Sequence, residues 1–318
     1  MNKAGNRELT IVMYHYVRPL ERTRYPSIKG LGLNEFKAQL ALVKNRYHPV
    51  TMEEVIHSIK SGDPLPPQAI LLTFDDGYLD HYLNVFPVLH DMGIQGSFFA
   101  PVAPVRDHQL LDVNRIHFIL AAANDPSRLR HDIDDYVRQY QIEYKLPSTD
   151  AYWSKYAQAS RFDTAEIIYI KRMLQVALPE QLRNRIAKEL FAKYVARDEV
   201  EFSSELYMDT DQLSMMRRCG MYIGSHGSSH CFMNAVDRDR QTAEVDESLA
   251  FLREIGSPVD DNWVMCYPYG AWDEQLLGIL RSRGCSVGLT TEVGIANLDK
   301  HDKLLLPRID TNDLPKTN

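Results

Sequence analysis

Leu71-Leu72-Thr73-Phe74-Asp75-Asp76-Gly77-Tyr78 is the stretch on which the fold and the chemistry of this chain turn. Leu71 to Phe74 read as a short apolar strand, and two adjacent carboxylates sit at its C-terminal end, where Gly77 lets the backbone turn tightly. Two like charges side by side need compensation. A bound cation that takes one Asp as ligand and leaves the other as a base would supply it. An Asp-Asp-Gly run is also an ordinary turn sequence, so the stretch alone leaves both readings open.

Short apolar strands recur outward from that point. Ile11 to Val17 reads as a strand interrupted by His15. Others follow near residues 70, 97, 221, 263, 286 and 304, giving seven in all. Helical patterns lie between them. Asn34 is placed as the cap of a helix with Phe36, Leu40 and Val43 on one face, and Thr51 with Glu54 forms a capping box for a second that stops near Gly62. Strands alternating with helices predict a parallel α/β sheet or barrel, here a seven-stranded (β/α) barrel one unit short of the eight-fold form.

The rhythm stops over residues 105–205. That segment has no strand pattern but several helical ones, Leu110–Ala123, Ser127–Tyr144, Asp163–Leu178 and Pro179–Val195, with Asp163 and Pro179 at helix starts. It reads as a long all-helical insertion in one barrel domain spanning 1–318. Tyr152, Trp153 and Tyr156 are assigned to its own small core rather than to a sugar platform.

The 318 residues are 44% hydrophobic and 25% charged, with a net charge of −7 and no long basic run, which excludes disorder and argues against nucleic acid as a partner. No apolar run approaches a membrane span, and residues 1–8 are polar, so the expected location is the cytoplasm. Cys219, Cys231, Cys266 and Cys285 lack a C-x-x-C spacing and are expected to be reduced and mostly buried.

Reactive groups in a parallel barrel gather on loops after the strands' C-terminal ends. Three such loops stand out: Asp75 and Asp76 after the second strand, His226 and His230 after the fourth, and Pro268-Tyr269-Gly270 after the fifth. The four-residue spacing of the histidines suggests one helical turn aiming both imidazoles the same way. With Asp76 they make a two-histidine, one-carboxylate set that leaves metal positions open.

Three motifs in order, Thr73-Phe74-Asp75-Asp76-Gly77, Ser225-His226-Gly227-Ser228-Ser229-His230 and Pro268-Tyr269-Gly270, resemble those of the polysaccharide deacetylases of NodB-homology type, carbohydrate esterase family four. Gly227 stands where that family usually has Ser or Thr. The resemblance covers roughly residues 9–102 and 209–310. It implies a distorted seven-stranded barrel and metal-dependent removal of acyl groups, usually N-acetyl groups of amino sugars. Carried onto this chain, Asp76, His226 and His230 would bind a divalent metal, zinc first, with cobalt, nickel or manganese also fitting. Asp75 would be the general base, and the Tyr269 backbone N–H would hold the oxyanion. No organic cofactor is implied.

Two positions depart from the pattern. Cys266 stands where the family commonly has an Arg that tethers the base, and Leu305-Leu306-Pro307-Arg308 occupies the strand that commonly ends in a Leu-x-His acid. His15 is the candidate acid, or a core histidine. Arg308 either supplies the lost tether or pairs with Asp310. Cys266 reads as packing rather than as a ligand. The expected substrate is an amino sugar or glycan precursor. Formamides, cyclic imides and ureides are the alternative amides, and a catalytically impaired glycan-binding protein is the alternative class.

Overall fold

The computed structural model describes residues 7–123, 125–160, 163–260 and 262–315; the polar opening residues 1–6 lie outside them. The chain divides into two compact units. One comprises residues up to Pro19, Gly30–Gln109 and the chain from Ser203 onward; the other comprises Leu20–Lys29 and Leu110–Phe202.

Seven strands of the first unit build its barrel: β1 (Glu8–Tyr14), β2 (Ala69–Asp75), β3 (Gly96–Ala100), β4 (Tyr222–Ser225), β5 (Val264–Cys266), β6 (Val287–Val293) and β7 (Leu306–Asp310). Each pairs in parallel with its neighbour, and β1 pairs with both β2 and β7, so the sheet closes into the expected seven-stranded barrel. Short edge strands His48–Pro49 and Ala296–Asn297 flank it, the latter antiparallel to β1.

Every residue of β2 is buried, as a strand covered on both faces must be. Its alternation separates two faces. Ile70, Leu72 and Phe74 pack with Val12, Phe98 and the helical Phe36 and Leu40, whereas Leu71 packs with Ile11, Phe99, Val264 and Leu289 inside the barrel. Thr73 and Asp75 follow Leu71 on the inward face. β7 meets β6 with a register break between Leu306 and Arg308, around Pro307, which has no N–H to give a ladder.

Local chemistry explains most helix ends. Thr51 and Glu54 form the expected capping box, and Gly62 and Gly93 end their helices in left-handed conformation. Three assignments shift. The first helix, Leu33–Arg46, begins after Gly32, whose N–H is held by Glu35, so Asn34 is not the cap. Thr164 rather than Asp163 caps Ala165–Arg172, leaving Asp163 to pair with Lys29 and Lys171. Pro179 precedes Glu180–Tyr194 instead of opening it.

The second unit is all helix among its described residues. Two helices the sequence pattern did not show, Thr149–Tyr156 within this unit and Glu199–Leu206, which begins in it, are both of eight residues and too short for a clear period. Leu129, Ile133, Ile170, Leu182, Ile186 and Leu190 form its interior. Tyr25 packs edge-on against Phe118 and Phe202, which accounts for the membership of Leu20–Lys29. Of the expected aromatic core, only Tyr152 is buried; Trp153 is half-exposed and lies under the guanidinium of Arg130, 3.6 Å from its ring centre. The four cysteines are free, Cys266 and Cys285 buried, Cys219 and Cys231 only half so.

Candidate metal centre

The adjacent carboxylates at the end of β2 part company at once. Asp75 is the last strand residue and keeps the inward direction of Thr73. Asp76 is left-handed, at φ 73°, and Gly77 follows at φ 68°. Six non-glycine residues among those described have positive φ, and three of them, Asp76, His230 and Tyr269, lie one in each of the three motifs. A left-handed non-glycine residue costs about 1–2 kcal/mol, so such conformations persist only where the surroundings impose them.

Asp76 is buried, with its two oxygens facing different neighbours. The Tyr78 hydroxyl donates to Oδ2 at 2.6 Å. Oδ1 lies 3.2 Å from Nε2 of both His226 and His230, without hydrogen-bond alignment to either. His226 Nδ1–H donates to the Cys266 carbonyl at 2.7 Å, which leaves the Nε2 lone pair turned toward Asp76. A carboxylate oxygen facing two imidazole nitrogens, with no aligned hydrogen bond, is a donor set for a cation, and the ligand atoms of the three residues lie within 4.8 Å of one another. Burial opposes ionisation of Asp76, but the two imidazoles outweigh it and hold the carboxyl well below its usual range.

The histidines do not converge by a helical turn. Residues 226–230 form a loop, left-handed at Gly227 (φ 71°) and His230 (φ 57°), and the ring centres end 4.9 Å apart. Gly227 is needed there for its φ.

Asp75 has a separate partner. Arg308, 1% exposed, donates from its two terminal nitrogens to the two carboxylate oxygens at 2.9 and 2.8 Å. The same guanidinium donates to the Thr290 carbonyl at 2.8 Å and to Thr73 Oγ1 at 3.1 Å. The register break in β7 immediately precedes it, as bulges beside active sites commonly re-aim a side chain. Asp310 does not pair with Arg308; it caps the turn at Asn312. Burial works against the Asp75 charge, yet Arg308, with help from His226, holds its carboxyl down at about 2.

Cys266 lies beside this pair in the barrel interior. Its sulfur, Asp75 and His226 form a second possible ligand group. Asp75 is already held by both terminal nitrogens of Arg308, and burial pushes the Cys266 thiol pKa up. His15 is half-buried at the end of β1, and its carbonyl accepts from His81 Nε2–H at 2.8 Å. Tyr269 (φ 58°) stacks on Phe232 with ring centres 3.8 Å apart and meets the His230 ring edge-on at 4.6 Å.

Tyr78 and Glu244 are the residues sequence reading passed over. Tyr78 directly follows the Asp-Asp-Gly turn, a visible signal. Glu244 directly precedes apolar Val245 on the long helix Arg238–Glu254, where a polar residue on a buried face is the only clue.

A sequence model of the polysaccharide deacetylase family matches residues 185–288. The poly-beta-1,6-N-acetyl-D-glucosamine N-deacetylase of Escherichia coli strain K12 is 41% identical over 66 residues, 21% of this chain, and the match spans only a tenth of that relative's length. Among solved structures, the Streptococcus pyogenes deacetylase PplD, in complex with acetate, has a TM-score of 0.59 at 16% identity, covering 95% of this chain and 92% of that one. IcaB from Ammonifex degensii has a TM-score of 0.54 at 17% identity, covering 98% and 96%. At such identities the structural likeness is one of fold. The family model and the curated relative, each matched over only part of this chain, both carry the polysaccharide deacetylase description, and the solved deacetylases share its fold.

Proposed function

We propose that the chain is a divalent-metal N-deacetylase acting on an N-acetylated amino sugar within a glycan or glycan precursor. The observation that carries this reading is the division of two adjacent buried carboxylates, Asp75 gripped by Arg308 and Asp76 facing His226 and His230. One carboxylate is thereby a base of fixed orientation, and the other belongs to a cation site. Zinc is the first ion to test, and cobalt, nickel or manganese would satisfy the same donors. A divalent ion at Asp76, His226 and His230 would supply an acidified water and polarise the amide carbonyl.

The chain's own groups do the rest. Asp75 takes the water's proton, its position fixed by the two nitrogens of Arg308. The Tyr269 N–H, at the left-handed turn after β5, is the donor assigned to the developing oxyanion. His15, its backbone anchored by His81, is the group assigned to protonate the leaving amine. Arg308 takes the tethering role from β7, where the family pattern would put it at position 266.

The name of the E. coli relative makes β-linked N-acetylglucosamine oligomers the first substrate to test. The protein loaded with Zn²⁺, Co²⁺, Ni²⁺ or Mn²⁺ should release acetate and expose free amines, and Asp75→Asn should stop turnover while keeping the metal. Release of formate from N-formyl sugars, with no acetate, would replace the reading by a deformylase. Absence of metal binding in the wild type would overturn it.

A further inference from the structure

Glu244 is a carboxylate 1% exposed on the helix Arg238–Glu254, and no step above uses it. Glutamate is almost never so buried unless fully partnered. Its partners are almost all on the loop that carries both candidate histidines. Oε2 accepts from the backbone N–H groups of Ser228 at 2.8 Å and Ser229 at 2.7 Å, and Oε1 accepts from the Ser229 hydroxyl at 2.6 Å. Arg240, one turn earlier on the same helix, forms an ion pair with Oε1 at 2.6 Å and donates to the Ser229 hydroxyl at 3.0 Å.

We infer that Glu244 is the positioning residue that shapes the loop 226–230 so that His226 and His230 both face Asp76. Ser228 and Ser229 are the two residues immediately before His230, whose backbone is left-handed at φ 57°. Two consecutive N–H groups captured by one oxygen fix the peptide planes that set up that conformation. On the far side of the loop, the carbonyls of Gly227 and Ser228 accept from the N–H groups of Val102 and Ala103 at 3.3 and 2.9 Å. The loop is thus clamped from both edges. Glu247 and Ser248 extend the same helix face, accepting from Ser228 Oγ at 2.6 Å and pairing with Ser225 Oγ at 2.7 Å. A Cβ on Gly227 would stand 3.4 Å from Glu244 Oε2, an ordinary contact, so it is the φ of 71° that favours glycine where the family pattern has Ser or Thr.

The inference rests on the metal-site reading, and metal affinity separates the two. The experiment measures the dissociation constant for Zn²⁺ by competition with a chromophoric chelator, and the visible absorption of the Co²⁺ form, in wild type, Glu244→Leu, Glu244→Asp and Glu244→Gln. Removing a group that orients a metal ligand typically weakens affinity about 10–100-fold. Glu244→Leu is expected to show that loss. Glu244→Asp, one methylene too short to span both N–H groups, should lose about as much despite keeping its charge. Glu244→Gln keeps one carbonyl oxygen for the two N–H groups and should stay within about tenfold of wild type, with the wild-type Co²⁺ spectrum. Gln39→Leu, which removes a buried amide bonded to the carbonyls of Thr311 and Leu314, is the control for general destabilisation and should leave affinity unchanged. Wild-type affinity in both Glu244→Asp and Glu244→Leu overturns the inference alone. A wild type that binds neither ion overturns it together with the metal-site reading.

Discussion

Arg308 and Asp75, 233 residues apart in sequence, form a two-pronged ion pair inside the barrel, with nitrogen–oxygen distances of 2.9 and 2.8 Å. Both groups are shielded from water, so each charge depends chiefly on the other for compensation. Breaking one side of such a pair costs about 3–5 kcal/mol, because the surviving charge is left buried. Arg308→Met is expected to lower the unfolding free energy by that amount, and Arg308→Met with Asp75→Asn to recover part of it. Urea unfolding of the two single variants and the double gives the coupling. If the single effects simply add, the pair is not the structural unit described.

Tyr78 makes a second prediction. Its hydroxyl is the only hydrogen-bond donor aligned on Asp76 Oδ2 among those described, and the ring is stacked on Tyr16 with centres 4.1 Å apart, so its position is fixed. Tyr78→Phe keeps the stack and removes the donor. A hydrogen bond to a charged group contributes about 1.5–3 kcal/mol, and loss of a group that orients a ligand weakens metal affinity about tenfold or more. Thermal melting and metal titration of the variant check both, and an unchanged metal affinity would remove Tyr78 from the site.

Much of this was legible in the chain because it rests on short-range signals. Seven apolar strands, the Thr51–Glu54 box and the glycine helix ends are local patterns, and the barrel follows from their alternation. The three motifs and the residues Asp75, Asp76, His226, His230 and Tyr269 were visible for the same reason. What stayed hidden depends on long-range closure or on loop conformation. That Arg308 reaches Asp75 and not Asp310 follows from β7 joining β1 and from a register break that no periodicity announces. That His226 and His230 meet through a left-handed loop rather than a helical turn depends on Glu244, fourteen or more residues away. The helical unit was readable as helix, but its short members were not, since eight residues hold barely two turns.

Gly77 tests how tightly the turn is built. Its φ is 68°, and an added Cβ would stand 2.9 Å from the Ala100 Cβ on β3. Gly93 has nearly the same φ, 66°, with no atom within 4 Å of such a Cβ. Gly93→Ala should therefore cost only the backbone penalty, about 1–2 kcal/mol. Gly77→Ala should add the cost of overpacking, about 1–3 kcal/mol more, and should also weaken metal binding because Asp76 is its neighbour. Equal losses of stability in the two variants would show that Ala100 yields without cost.

His81 gives a pH dependence whose sign follows from its surroundings. The ring is fully buried among Phe74, Tyr78 and Phe98, and Nε2–H donates to the His15 carbonyl. Burial pushes its pKa down from 6.5 to about 4, only partly opposed by that hydrogen bond and by the nearby carboxylates. The folded protein thus keeps His81 neutral, while the unfolded chain takes a proton on it near the ordinary value. Above about 6.5 both states are neutral and the contribution is present in full. As pH falls, the unfolded state protonates first, so stability is lost progressively and is gone once pH passes the folded value of about 4. A shift of that size corresponds to about 3 kcal/mol. His81→Gln, which cannot titrate, is expected to be less stable than wild type at pH 8 but to lose less on going to pH 4.5. Urea midpoints of both proteins across that range decide it, and parallel pH profiles would show that His81 is not the group that sets the slope.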